Sequence, residues 1–164
     1  MIINYNPEGK WSTESVKKRY WEQSVSLGGV SGFEPTPKTY TNFNGCTWVY
    51  NVMESVIDGV QLGDFTCVQL CIDYINDDVK APTTGYTKER MARALRHASL
   101  SDKQKKELSE IFIKQLESGK IYKEYREYIR LFKIIGVTPY KEKIQKCIKG
   151  QQEFIKRAAS KLLA

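Results

Sequence analysis

From Cys46 to the C-terminus, apolar residues recur three and four positions apart, and this period constrains the fold more than any other feature of the 164 residues. Side chains at that spacing share one face of an α-helix, whereas a half-buried strand needs strict alternation. Cys46 to Asp58 places Val49, Val52, Met53, Val56 and Ile57 on one helical face, and Gly59 and Gly63 bracket the turn that follows. In Asp64 to Ile75 apolar residues lie on nearly every side, the pattern of a helix packed among others, and Asn76-Asp77-Asp78 stops it. Pro82-Thr-Thr-Gly85 reads as a loop and Thr87 as the cap of a helix over 88–98. Ser101 and Asp102 open the next helix, which turns Leu108, Ile111, Phe112 and Leu116 inward and closes at Gly119. Residues 121–135 form the most aromatic helical stretch. After Gly136, Thr138-Pro139 starts a last helix striped by Ile144, Cys147, Ile148, Gln151, Ile155, Ala158, Ala159 and Leu162. Lys143, Lys146, Arg157 and Lys161 fall opposite that stripe as a basic ridge.

The N-terminal quarter reads differently. Ser12 or Thr13 caps a helix reaching about Leu27, with Trp11 folded over its first turn, and Gly28-Gly29 ends it. The 18 residues 28–45 then lack any helical period and carry Pro35 and Pro37. A connection this long is functional or hides a strand, and Thr39 to Phe43 does alternate like one, with Ile2 to Tyr5 as its candidate partner. The expected fold is mainly α: a single domain over 1–164, with an N-terminal helix and long loop in 1–45. About six helices are expected in all, stacked as antiparallel hairpins or as an irregular helical bundle, with 46–164 as the helical stack and a minor two-stranded element near the N-terminus.

Charge is divided along the chain. Residues 1–79 carry a net charge of −5 and residues 80–164 carry +12, giving +7 overall. Such segregation favours a surface that meets a partner. With 41% apolar and 12% aromatic residues, the composition is that of a globular chain rather than a disordered one. The first residues lack the charged and apolar regions of a secretory leader, and no run of about 18 apolar residues occurs, so the expectation is a cytoplasmic protein with no membrane partner.

Chemistry-bearing motifs are sparse. Cys67 and Cys71 stand one helical turn apart, but the second tight pair of a structural zinc site is missing and His97 is the sole histidine. Neither a metal nor another cofactor is expected, and the four cysteines read as reduced thiols. The chain has no GxxxxGK[ST], GxGxxG or GxSxG pattern. Glu54 and Asp58, with Asp64, Asp73, Asp77 and Asp78, read as the negative half of the charge split rather than as acid–base pairs. No catalytic residue is assigned, and the expectation is a protein that is not an enzyme.

One resemblance adds to this. Gly85-Tyr-Thr-Lys-Glu-Arg-Met-Ala-Arg-Ala-Leu-Arg-His97, with Leu100-Ser-Asp-Lys-Gln104, Leu116-Glu-Ser-Gly119 and Tyr125-Arg-Glu-Tyr-Ile-Arg-Leu131, resembles helical hairpins of bacterial HEAT-like proteins. It covers residues 64–136. The resemblance implies a solenoid-like helical stack and a habit of binding other macromolecules, with no catalytic residues to transfer.

Two functional readings follow. The first is a binding protein of the adaptor, immunity or inhibitor type, which meets a protein partner through a helical surface and the aromatic residues Phe33, Tyr40, Phe43 and Trp48. The alternative is a nucleic-acid-binding protein that contacts phosphates through Lys143, Lys146, Arg157 and Lys161. Lysine outnumbers arginine there, which suits backbone contact more than base readout. Tyr122, Tyr125 and Tyr128, at helical spacing, read as core residues rather than as a base-stacking platform.

Overall fold

A computed structural model describes every residue except Pro82, which leaves that member of the expected 82–85 loop outside the described residues. The chain is mainly helical, with a small sheet, and divides into two compact units, Met1–Cys71 and Ile72–Ala164.

The first unit opens with strand β1 (Ile2–Asn4), a 3₁₀ turn over Gly9–Trp11 and helix α1 (Thr13–Leu27). Ser12 caps α1 by accepting the Ser15 N–H at 3.2 Å. Strands β2 (Thr39–Thr41) and β3 (Thr47–Val49) follow, then α2 (Val52–Gln61) and α3 (Phe65–Asn76), in which the unit boundary falls. The core centres on Trp11, Val16 and Tyr20 of the N-terminal segment with Val52, Met53, Val56 and Ile57 of α2. Asp64 is fully buried and accepts three hydrogen bonds: from the Tyr20 hydroxyl at 2.6 Å, the Val30 N–H at 2.9 Å and the Cys67 N–H at 2.9 Å. One carboxylate thus caps α3 and ties both α1 and the start of the long connection to it. Burial, reinforced by the Asp64 carboxylate, holds the Tyr20 hydroxyl and the Cys67 thiol well above their usual pKa ranges.

Three expectations are corrected here. The helix read over Cys46–Asp58 begins only at Val52, where Asn51 accepts the Met53 N–H at 2.9 Å; Thr47-Trp48-Val49 is strand instead. Those three residues are β-branched or aromatic, and pairing on both sides satisfies their backbone groups. The segments Ile2–Asn4 and Thr39–Thr41 are strands, but they do not pair with each other. β3 lies between them, parallel to β1 and antiparallel to β2, so the element has three strands rather than two.

The second unit holds α4 (Thr84–Leu95), α5 (Asp102–Ser118), α6 (Tyr125–Ile135), α7 (Lys141–Ile148) and α8 (Glu153–Leu163). Among the described residues this makes eight α-helices where about six were expected. The continuous last helix of the sequence reading is two helices that pack against each other, broken at Lys149–Gln152, where Gly150 weakens the helix and Gln151 and Gln152 are exposed. Thr84 and Gly85, expected in a loop, begin α4, while α6 starts at Tyr125 rather than near residue 121. A reciprocal capping box opens α5: the Ser101 hydroxyl accepts the Gln104 N–H at 3.1 Å and the Gln104 side chain accepts the Ser101 N–H at 3.0 Å. Helix α6 touches α4, α5 and α8. It fills that position with aromatics: Phe112 of α5 stacks on Tyr128 with centroids 4.8 Å apart, and the Tyr125 hydroxyl donates to the Phe112 carbonyl at 2.7 Å. Tyr125 and Tyr128 are therefore core residues, as the spacing predicts, and Tyr122 lies outside the helix and exposed.

Candidate functional site

In the first unit, the sheet is the feature that packing does not explain. No residue of β1, β2 or β3 is buried. A sheet ordinarily hides at least one face, because its apolar side chains are otherwise left in water. Here the register sets Ile3, Trp48 and Tyr40 side by side, since Ile3 and Tyr40 are the partners of Trp48 on either side. Tyr40 and Trp48 lie against each other with centroids 5.7 Å apart, and just past the strand ends Tyr5 stacks on Tyr50 at 6.2 Å. Tyr5, Tyr40 and Tyr50 are all exposed and Trp48 is half-buried.

This aromatic face is held rigidly. The Asn6 side chain donates to the Tyr50 carbonyl at 2.9 Å and accepts the Val52 N–H at 2.7 Å, which fixes the end of β1 to the start of α2. The β2–β3 hairpin turns through Phe43-Asn44-Gly45. Asn42 accepts both the Asn44 N–H at 3.0 Å and the Cys46 N–H at 2.9 Å, and Gly45 takes φ +78°, where a side chain would be strained. That turn lifts Phe43 to 98% exposure. Burying a phenylalanine is worth about 1.5–3 kcal/mol, so this ring forgoes that stabilisation on a turn that fixes its place.

Of the four aromatic residues that the sequence pointed to, the structure thus brings Tyr40 and Trp48 together on one sheet and places Phe43 at the adjoining hairpin tip. Phe33 is elsewhere. It is half-buried, packing edge-on against Tyr20 at 5.8 Å and lying over Gly59. Tyr5 and Tyr50, which complete the face, were missed because their place depends on strand pairing between segments 45 residues apart.

No family model, curated protein or solved structure matches the chain.

The basic residues of the second reading are divided. Lys143 and Lys146 lie on α7, while Arg157 and Lys161 lie on α8, with the break at Gly150 between them. All four are exposed, and Arg157 sits 3.9 Å from Glu153 on its own helix. Lys143 and Lys146 help to line a 460 Å³ cavity with Glu117, Cys147 and Ile155. Among the described residues, no group of three or more His, Cys, Asp or Glu is placed to hold a metal ion, and no helix is long and apolar enough to cross a membrane.

The second unit also contains a charge network that no sequence motif signals. Lys88 is only 2% exposed, and its ammonium meets Asp78 at 3.0 Å and Glu124 at 2.9 Å. Beside it, the buried Glu89 and Glu127 face a fence of arginines: Arg93 on α4, Arg96 just past its end, and Arg126 and Arg130 on α6. Glu127 receives the Arg130 N–H at 2.9 Å and lies 3.6–3.9 Å from Arg93, Arg96 and Arg126. Glu89 lies 3.6 Å from Arg93 and 3.8 Å from Arg126. Only the contact with Arg130 is a hydrogen bond; the buried Oε1 of Glu89, Oε2 of Glu127 and Nε of Arg96 have no hydrogen-bond partner.

Proposed function

We propose that the first unit is a protein-binding module, whose partner seats on the aromatic face formed by Tyr5, Tyr40, Trp48 and Tyr50 and is engaged by Phe43 at the hairpin tip. The observation that carries this reading is a three-stranded sheet without one buried residue that nonetheless displays stacked aromatics. Tyrosine and tryptophan on a rigid scaffold supply large contact area at small entropic cost, which is why such residues dominate binding hot spots. A protein suits this face better than a nucleic acid. Residues 1–71 carry a net charge of −2, and Lys38, next to Tyr40, is paired with Asp58. Single-strand binders combine stacking rings with a groove of cations, which this unit lacks. The reading is of a non-enzymatic binder of the adaptor, immunity or inhibitor type, in keeping with the HEAT-like habit suggested for residues 64–136. Phosphate contact through Lys143, Lys146, Arg157 and Lys161 has less support, since the ridge is split between two helices.

The test pairs the wild-type protein with Tyr40→Ala/Phe43→Ala, both immobilised and exposed to a lysate of the source cells. The expected result is a protein retained by the wild type and lost from the variant, with hydrogen exchange in β2 and β3 slowed when that protein is bound. Since both side chains are exposed, the variant keeps its circular dichroism spectrum. Retention unchanged by the double substitution overturns the assignment of the face.

A further inference from the structure

The arginine fence on α4 and α6 holds more positive charge and more donors than its carboxylates can use. Two carboxylates, Glu89 and Glu127, face four guanidinium groups, from Arg93, Arg96, Arg126 and Arg130, so the cluster carries a net charge of +2. Each guanidinium has five N–H donors and each carboxylate about four acceptor sites, so roughly 20 donors face about eight acceptors. Only the Arg130 contact reaches hydrogen-bond length, and the Arg96 Nε is buried with no acceptor at all. The carboxylates are nearly inaccessible, whereas Arg126 and Arg130 are 60% and 55% exposed, so an approaching molecule meets guanidinium groups. Because all four groups lie within 3.9 Å of Glu127, they are gathered at one point and their side chains are already restrained. Restraint before binding removes part of the entropic cost of fixing long side chains.

We propose that Arg93, Arg96, Arg126 and Arg130 form a binding site for a phosphate monoester dianion carried by a phosphorylated peptide segment of a protein partner. A monoester carries a charge of about −1.5 to −2 at neutral pH, which matches the +2 of the cluster, and its oxygens accept the paired N–H groups of a guanidinium. A nucleic acid fits less well, since each diester carries one charge and successive phosphates need a spread row of cations rather than a single focus. A small phosphorylated metabolite fits less well too. Such ligands take concave sites that bury most of their surface, whereas Arg126 and Arg130 stand 60% and 55% exposed. The phosphate therefore needs a larger body that gains its remaining contacts from the helical surface. The inference is independent of the sheet face, which belongs to the other unit.

Fluorescence anisotropy with a labelled peptide pool, degenerate around one phosphoserine, and with the unphosphorylated pool tests this on the full chain. The phosphorylated pool should bind at least about tenfold more tightly, the difference expected from charge-assisted hydrogen bonds. Arg126→Ala/Arg130→Ala should remove that difference; because Arg130 supplies the hydrogen bond to the buried Glu127, the thermal midpoint should fall, and an unchanged circular dichroism spectrum at the assay temperature shows that the variant is still folded. Arg126→Lys/Arg130→Lys, which keeps the charge and the fold but removes the planar forks, should retain only part of it. Equal binding of the two pools, or discrimination that survives the alanine pair, overturns the proposal. So does tighter binding of a single-stranded oligonucleotide, or inorganic phosphate that binds as tightly as the phosphopeptides.

Discussion

Lys88 shows how a residue that ordinarily marks a surface becomes part of an interior. Its position on α4 gives no hint of burial in the sequence, because lysines surrounded by Glu89 and Arg90 read as a solvated face. In the fold its ammonium is held by Asp78 and Glu124, and Asp78 itself takes φ +48°. A buried ion pair adds little net stability, but removing one partner strands the others in a medium that cannot solvate them. Lys88→Ala is therefore expected to lower the unfolding free energy by about 3–5 kcal/mol, measured as a shift of the urea midpoint. Lys88→Met/Glu124→Leu should recover much of that loss, since it removes opposite charges together; a double variant no more stable than Lys88→Ala would show that side-chain volume, not charge, sets the cost.

Helix α2 carries the corresponding lesson for an element. Gly59 lies in its interior, where glycine ordinarily costs about 1 kcal/mol relative to alanine. A Cβ built there would collide with the Cys67 Sγ of α3 and stand 2.9 Å from the Phe33 ring, so the helix approaches its neighbours more closely than a side chain permits. Gly59→Ala should consequently destabilise the protein by about 1–3 kcal/mol despite the better helix propensity, because overpacking outweighs the gain. Thermal denaturation checks this, and a rise in the midpoint would show that Phe33 and Cys67 yield at no cost. The same packing sets the half-buried Phe33 against Gly59 and Tyr20, away from the aromatic face of the sheet. The sequence marks it as a loop aromatic, and only the approach of α2 shows what it packs against.

For the whole molecule, the buried hydroxyls and thiols set a response to alkali. Burial raises the pKa of Tyr20, Cys67, Tyr125 and Tyr128, with Asp64 adding to the first two, Cys147 to the third and Glu124 to the fourth. In the unfolded chain, a cysteine ionises near 8.5 and a tyrosine near 10. A raised folded pKa means that the native state keeps its proton while the unfolded state loses it, so the stabilisation is complete below the unfolded value and is lost as pH rises. Stability should be flat in these groups up to about pH 8, then fall by up to about 1.4 kcal/mol per pH unit for each group whose unfolded form has ionised. Urea titrations between pH 7 and 11 measure this, and a stability that stays level to pH 11 would mean that these sites open to water before unfolding. Thiol labelling gives a second reading. Cys46 and Cys147 are partly exposed and should react in the native protein, whereas Cys67 and Cys71 are buried and should react only on unfolding.

The sequence by itself determined the helical content and most of the inward faces, because both are local. Three- and four-residue spacing commits Leu108, Ile111, Phe112 and Leu116 to one side of α5 wherever that helix goes, and Ser101 with Gln104 starts it without outside help. It also marked Thr39 to Phe43 as strand-like, since those residues alternate, but it paired them with Ile2 to Tyr5 and read their true partner, Thr47-Trp48-Val49, as helix. What it did not contain was anything decided by pairing at a distance. Whether Thr47-Trp48-Val49 became helix or strand depended on β1 and β2 arriving on either side, and the break at Gly150 depended on α8 folding back along α7. The aromatic face and the arginine fence exist only once segments far apart in the chain have met. Tertiary structure alone decided them, because a contact across space is fixed by packing free energy shared among many residues and leaves no periodic trace in any one segment.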